Sequence, residues 1–157
     1  MSKNLKITLF LILIAIFVIW VNGSSPPAPM PLEKLVIQTS SGQKEFTVEI
    51  AQTPEQQELG LMYRTSLAPD KGMLFIEDQD MVVTMWMKNT LISLDMLFID
   101  SEGKIVYIAD HATPESTAII TARRPVRAVI ELAAGTADAD HIKVGDRVID
   151  RYFGKKP

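Results

Sequence analysis

The sequence predicts a mainly β domain, a small antiparallel β-sandwich or partly open barrel with one or two short helices. Apolar residues alternate with polar ones through Phe46, Val48 and Ile50, which is the pattern of a half-buried strand. A turn at residues 100–104 separates two apolar runs, as in a β-hairpin. No helices of about 10–15 residues separate the strands, so a parallel α/β sheet is not expected.

About eight short strands follow from this pattern, together with one well-signalled helix. We expect strands at residues 35–38, 44–51, 73–76, 81–87, 95–99, 105–109, 126–133 and 147–152, with an acidic loop at 77–80. The helix begins after Thr53, which can cap free backbone N–H groups. Pro54 suits the first helical position, and Gln56 completes a capping box.

The N-terminus has the layout of an export signal. A basic start with Lys3 and Lys6 leads into an apolar run over residues 7–21, which is shorter than a membrane-spanning helix requires. Residues 1–23 are therefore interpreted as a signal peptide or, if uncleaved, as a membrane anchor. Residues 24–31 form a proline-rich linker, and residues 32–157 form a single β-rich domain. We expect a periplasmic or secreted location, anchored to the inner membrane if the signal stays.

Composition excludes several classes of function. Residues 26–157 carry 14 basic and 19 acidic side chains, a net charge of −5, which argues against binding to nucleic acid. There are no cysteines, so disulfides, thiolate zinc sites and cysteine nucleophiles are excluded. With only His111 and His141 present, a metal site with several histidines is excluded too. No cofactor is expected, membrane contact is expected only through the N-terminal segment, and the oligomeric state stays open.

Several motifs occur in a fixed order through the predicted domain. They are Gly60-Leu61-Met62 with Arg64, Gly72-Met73-Leu74-Phe75, Trp86-Met87-Lys88-Asn89-Thr90, Leu94-Asp95 with Phe98, Glu131-Leu132 with Gly135, and Gly145-Asp146. This set closely resembles the Domain of Unknown Function 192 family, over roughly residues 46–148. The resemblance implies a compact, β-rich, often exported domain and no agreed activity. Met85 departs from the family pattern, which often has an aromatic residue before the tryptophan.

A polar cluster within the most apolar part of the domain is the candidate site. Lys88, Asn89 and Asp95 fall where a buried hairpin would carry apolar residues, and burying them unsatisfied would cost a few kcal/mol each. They can satisfy one another or Glu131 within the protein, which is the structural alternative. The functional hypothesis is a pocket that binds a small anionic or hydroxylated ligand or a cell-envelope component without catalysis. Its predicted ligand-binding residues are Arg64, Trp86, Lys88, Asn89, Asp95 and Glu131.

Two other hypotheses remain open at the level of sequence. Asp95 and Glu131 could form the carboxylate pair of a hydrolase, which requires the two groups to converge on one cleft. Met81, Met85 and Met87 could bind Cu(I), because thioethers are soft ligands that favour it. This second hypothesis requires the three methionines to be exposed and clustered, whereas methionine also fills gaps in ordinary cores.

Overall fold

The computed structural model describes residues 29–153, so the predicted signal or anchor at 1–23 and most of the linker lie outside the described residues. The strands are β1 (Leu32–Thr39), β2 (Gly42–Ala51), β3 (Lys71–Met81), β4 (Leu94–Ile99), β5 (Ile105–Ala112), β6 (Val126–Ala133) and β7 (Arg147–Ile149). Two short helices are α1 (Pro54–Leu59) and α2 (Thr136–Ala139). Within this part of the chain, no helix is long and apolar enough to cross a membrane.

All seven strands join one mixed sheet in the order β5–β4–β6–β3–β2–β1–β7. Every neighbouring pair is antiparallel except β2 and β3, which run parallel because α1 and the chain after it return to the same end of the sheet. The prediction of a mainly β fold with one or two short helices is confirmed. The wholly antiparallel pairing is corrected at this one pair.

The sheet curls until its ends approach each other without closing. Near one end, the Gly145 N–H donates to the Ile105 carbonyl at 2.8 Å. The Val148 N–H donates to the Gly103 carbonyl at 2.7 Å. These bonds bring the start of β7 against the turn between β4 and β5, and the result is a partly open barrel.

Each face of the curled sheet carries its own apolar core. The inner core includes Leu35, Phe46, Val48, Ile50, Leu74, Leu97, Ile130 and Leu132. The outer core includes Leu61, Met73, Phe75, Val83, Met87, Met96, Phe98 and Val129. The chain after α1 and the irregular chain between β3 and β4 cover the outer core, which is where the candidate site lies.

Several sequence-based boundaries of the strands are corrected, and the last predicted strand at 147–152 ends at Ile149. Of the strand predicted at 81–87, Met81 ends β3, and residues 82–87 are not a strand. Only Met85 makes an isolated bridge, to Ile120, because this chain lies over the outer core instead of joining the sheet. The acidic residues 77–80 belong to β3 and are not a loop. The last two residues of the predicted linker contact the domain: Met30 packs on the outer core, and the Pro31 carbonyl accepts from the Ile50 N–H at 2.9 Å.

Candidate functional site

Glu131 lies at the centre of the sheet, on its outer face. It pairs with Met73 of β3 on one side and with Met96 of β4 on the other, and both methionines are fully buried. Gly72 allows the close approach of β3 at this point, because a Cβ there would lie 2.5 Å from the Glu131 carbonyl oxygen. The fold therefore holds a carboxyl group between two apolar neighbours.

The Glu131 carboxyl has no hydrogen bond or ion pair with any residue between 29 and 153, although the residue is only 4% exposed. No side-chain nitrogen or oxygen in the described chain is fully inaccessible and also without a partner. The carboxyl oxygens of Glu131 must therefore touch open space, and that space is the pocket that Glu131 lines. Burial raises the pKa of this carboxyl to about 8, and the charge of Arg64 opposes the rise.

The pocket around Glu131 is a mainly apolar cavity of about 400 Å³. Its walls come from the end of α1 and the chain after it, from β3, from residues 83–86 and from Thr90 and Ile119. Leu61, Phe75 and Val83 form buried parts of the lining, while Trp86 and Ile119 are exposed at its edge. A small number of polar groups in a largely apolar cavity is the usual composition of a ligand site.

Local sequence signals shape one wall of the pocket. The predicted capping box of α1 is present: the Thr53 hydroxyl accepts from the Gln56 N–H at 3.2 Å, and the Gln56 side-chain oxygen accepts from the Thr53 N–H at 3.1 Å. The helix ends at Gly60, whose positive φ of 47° favours glycine. A Cβ at Gly60 would also touch the Phe75 ring at 3.4 Å. Gly60 thus both ends α1 and keeps the wall close to Phe75.

Residues 87–90 form a turn instead of a buried strand, which corrects the predicted positions of Lys88 and Asn89. Lys88 is exposed, and its ammonium nitrogen lies 5.2 Å from the centre of the Trp86 ring. Asn89 has a left-handed backbone (φ 57°), its carbonyl accepts from the Tyr63 N–H, and its side-chain nitrogen contacts the Met62 sulfur at 3.8 Å. Trp86 lines the pocket, whereas Lys88 and Asn89 do not.

Arg64 is bound within the protein. Its guanidinium makes two hydrogen bonds to the Glu49 carboxylate, of 2.5 and 2.7 Å. These bonds hold the pKa of Arg64 above its ordinary value. Arg64 does not line the pocket, and its charge is matched by Glu49, which lies on the same sheet face as Glu131.

Asp95 is fully buried on the inner face of the sheet and has two partners. One carboxylate oxygen accepts from the His111 N–H and the other from the Ala137 N–H, each at 2.9 Å. It thereby attaches the end of β5 and the start of α2 to β4. Asp95 contacts neither Lys88 nor Arg64, so the predicted polar cluster does not form as one unit.

The carboxylate pair required by the hydrolase hypothesis is absent. Asp95 pairs with Leu132 and Met96 pairs with Glu131, and successive residues of a strand point to opposite faces. Asp95 therefore faces the inner core, while Glu131 faces the outer core and its pocket. The two carboxyls are separated by the sheet and cannot converge on one substrate bond.

The three methionines of the Cu(I) hypothesis do not form an exposed cluster. Met81 is exposed at the end of β3, and Met85 is half-buried in the pocket lining. Met87 is fully buried in the outer core. Met87 would have to leave this core to meet a metal with the other two, so the condition set for this hypothesis is not met.

Several pocket residues were not predicted. Phe75 and Leu61 appear in the family motifs but resemble ordinary core residues, and Ile119 lies in irregular chain with no periodic signal. Glu58 and Glu77 also line the pocket, and in sequence they resemble solvated surface residues. Of the six predicted site residues, Trp86 and Glu131 line the pocket.

Comparisons with known proteins agree with the motif resemblance. Residues 36–149 match the family Domain of Unknown Function 192 (DUF192), described as Uncharacterized ACR. No functionally curated protein matches this chain.

Two crystal structures of bacterial proteins are similar to this chain. A proposed transcription regulator from Sinorhizobium meliloti 1021 is 46% identical, with a TM-score of 0.76 over 79% of this chain and 97% of that one. A protein of unknown function from Novosphingobium aromaticivorans DSM 12444 is 34% identical, with a TM-score of 0.76 over 80% of this chain and 89% of that one.

Proposed function

This chain belongs to the DUF192 family, and we propose that it is an exported, non-catalytic binding domain for a small amphipathic ligand. The ligand has an apolar body that fills the pocket and a polar head that hydrogen-bonds to Glu131. The observation that carries this proposal is the Glu131 carboxyl, which is 4% exposed, has no hydrogen bond within residues 29–153 and lines an apolar cavity of about 400 Å³.

An unbonded buried carboxyl is costly, and this cost supports a binding role. A buried polar group that its own protein leaves without a partner costs about 1–3 kcal/mol or more where water does not replace the bond, and native proteins rarely keep one without a reason. A ligand that supplies the missing hydrogen bond recovers this free energy on binding. Trp86 at the pocket edge would provide a flat apolar contact for the ligand body.

The acidic lining changes the class of ligand expected from the sequence. The hypothesis from the sequence assigns to Arg64 and Lys88 the positive charge that would bind an anionic ligand, but neither residue lines the pocket. Glu58, Glu77 and Glu131 do line it. A hydroxylated ligand is compatible with this lining, and an anionic one is disfavoured by charge.

Export is proposed from the N-terminal sequence. The basic start and the apolar run at residues 7–21 support a signal or anchor, as described above. Fractionation of cells that express the tagged full chain should place it in the periplasmic or membrane fraction. The same chain without residues 2–23 should stay in the cytoplasm, and equal cytoplasmic amounts of the two would refute export.

Binding is tested by thermal unfolding of the full chain, held in nanodiscs, against sugars, alcohols, amines, nucleotides and organic acids. A specific ligand at 100 times its Kd stabilises the fold by about 2.7 kcal/mol, which raises the melting temperature by several degrees. In a Trp20→Phe background Trp86 is the only tryptophan of this chain, so with a tryptophan-free nanodisc scaffold its emission reports directly on the pocket.

Two exposed apolar residues provide a matched pair of variants. Ile119 lines the pocket and Leu91 does not, although both are exposed. Ile119→Gln should weaken binding by about 1 kcal/mol through lost apolar contact, and Leu91→Gln should leave it unchanged. Equal effects of the two variants, or no stabilising compound in any class, would contradict the proposal.

A further inference from the structure

We infer that the head group bound at Glu131 is an organic ammonium, so that the pocket selects small amphipathic amines over alcohols and carboxylic acids of the same size. This inference rests on the proposed binding function and specifies its ligand. It is carried by the charges that line the pocket, by the unbonded carboxyl at its base and by the contact that Trp86 already makes.

All charged residues among the described residues that line the pocket are acidic. Glu131, Glu77 of β3 and Glu58 of α1 contribute carboxyls, and none of the described residues that line the pocket is Lys, Arg or His. Glu131 is the buried member and has no hydrogen bond in the described chain, whereas Glu58 is exposed and Glu77 half-buried. A cation would meet a charge-assisted hydrogen bond at Glu131 and attractive charges along its path.

Other charged groups near Glu131 do not supply the missing partner. Arg64, from the chain after α1, is close enough to affect the pKa of Glu131, but both arms of its guanidinium are bonded to Glu49 of β2. Lys88, from the turn before β4, points over Trp86 and does not line the pocket. The position beside the Glu131 carboxyl is therefore open to a cation from outside the protein.

The Trp86 ring already makes a cation–π contact within the protein. The Lys88 nitrogen lies 5.2 Å from the Trp86 ring centre, within the range of a cation–π contact. The same ring lines the pocket, so an amine that displaces the Lys88 ammonium, or that meets the other side of the ring, would gain the same kind of contact. Phe75 provides a second aromatic ring inside the cavity.

Amine binding should be coupled to proton release. The free carboxyl of Glu131 is largely protonated at neutral pH because burial raises its pKa to about 8. An ammonium favours the ionised carboxylate, so the complex forms as Glu131 gives its proton to solvent and the amine keeps its own. Affinity should therefore rise about tenfold per pH unit from pH 6 to pH 8 and then level off.

The test compares hexylamine, 1-hexanol and hexanoate, which share one apolar body, by calorimetry and Trp86 emission on the full chain in nanodiscs. We expect hexylamine to bind at least tenfold more tightly than 1-hexanol at pH 8. Near pH 6.5 its binding should release close to one proton, read from the dependence of the heat on the buffer. Glu131→Gln should abolish both the preference and the proton release.

Asp110 provides the control for non-specific attraction of cations. It is an exposed carboxylate of β5 that lines a neighbouring groove and not the pocket, although Ile119 lines both, so Asp110→Asn should leave hexylamine binding unchanged. Binding of 1-hexanol that depends on Ile119, without a preference for hexylamine, would overturn this inference and leave the proposed function in place. Hexylamine binding that survives Glu131→Gln would also overturn it. Failure of every compound to bind would overturn both.

Discussion

Asp95 and Glu131 are buried acidic residues on neighbouring strands of the same sheet, and they differ in their hydrogen bonds. Asp95 accepts two backbone hydrogen bonds and attaches β5 and α2 to β4. Glu131 accepts none from the described chain and faces a cavity. Burial of an acid is therefore not enough to identify a candidate site; what separates these two groups is whether the protein itself satisfies their hydrogen bonds.

The largest expected effect concerns Glu131 and pH. The folded protein keeps a proton on Glu131 up to about pH 8, whereas the unfolded chain releases it near pH 4.5. This group therefore lowers wild-type stability as pH rises from 4.5 to 8, by about 1.4 kcal/mol per pH unit, and contributes no further change above or below that window. Relative to wild type, Glu131→Gln should gain roughly 3–5 kcal/mol between pH 4.5 and pH 8.

Urea denaturation of both proteins at each pH measures this difference and removes the effect of the other carboxylates. Parallel stability curves for wild type and Glu131→Gln would mean that the Glu131 carboxyl is solvated in the folded protein. The proposed difference between Glu131 and Asp95, an unsatisfied against a satisfied buried carboxyl, would then not hold.

The matching change on the other face should have the opposite sign. Asp95→Asn keeps the shape of the side chain but replaces one carboxylate oxygen with an amide N–H₂. This group cannot accept from the backbone N–H that donates to the oxygen in the wild type. We expect a loss of about 3 kcal/mol in the free energy of unfolding at pH 7. Urea denaturation provides the value, and a loss below about 1 kcal/mol would show that the two bonds contribute little.

Arg64 provides a further test of the environment of Glu131, because it affects Glu131 through its charge and Glu49 through hydrogen bonds. Arg64→Met should cost about 2 kcal/mol by removing both bonds to Glu49. It should also raise the pKa of Glu131 further, because the opposing positive charge is lost. Arg64→Lys should lose part of the stability and leave the pKa of Glu131 near 8. Denaturation and an NMR titration separate these effects, and equal pKa values in the two variants would rule out the charge coupling.

Lys88 should show the smallest effect. Its side chain is exposed, and within residues 29–153 its ammonium contacts the Trp86 ring alone, so Lys88→Met should change stability by about 0.5 kcal/mol. Thermal or urea unfolding is sufficient for this measurement. A loss above 2 kcal/mol would favour the buried cluster that the sequence predicted.

The sequence was informative wherever the signal was local. The capping box at Thr53 and Gln56 and the alternation in β2 predicted α1 and a strand. The family motifs pointed to Trp86 and Glu131, which both line the pocket. These signals depend on a few neighbouring residues, so they survive without knowledge of the fold.

The pairing of strands that are distant in the chain could not be predicted from such local signals. The separation of Asp95 from Glu131 depends on the register of β4 against β6, and one residue of slip would reverse it. Lys88 is exposed because the chain turns at Asn89. The apolar residues around Asn89 predicted a strand there instead of a turn. The parallel pairing of β2 with β3 depends on where the chain after α1 returns, and composition does not encode it.

The most direct measurement is the titration of the Glu131 carboxyl by ¹³C NMR in glutamate-labelled protein, with Glu131→Gln used to assign the signal. A midpoint at about pH 8, which moves lower when hexylamine is added, is the result expected for a buried and unbonded carboxyl that faces a ligand pocket. A midpoint near 4.5, unchanged by hexylamine, would show a solvated surface acid and contradict the account.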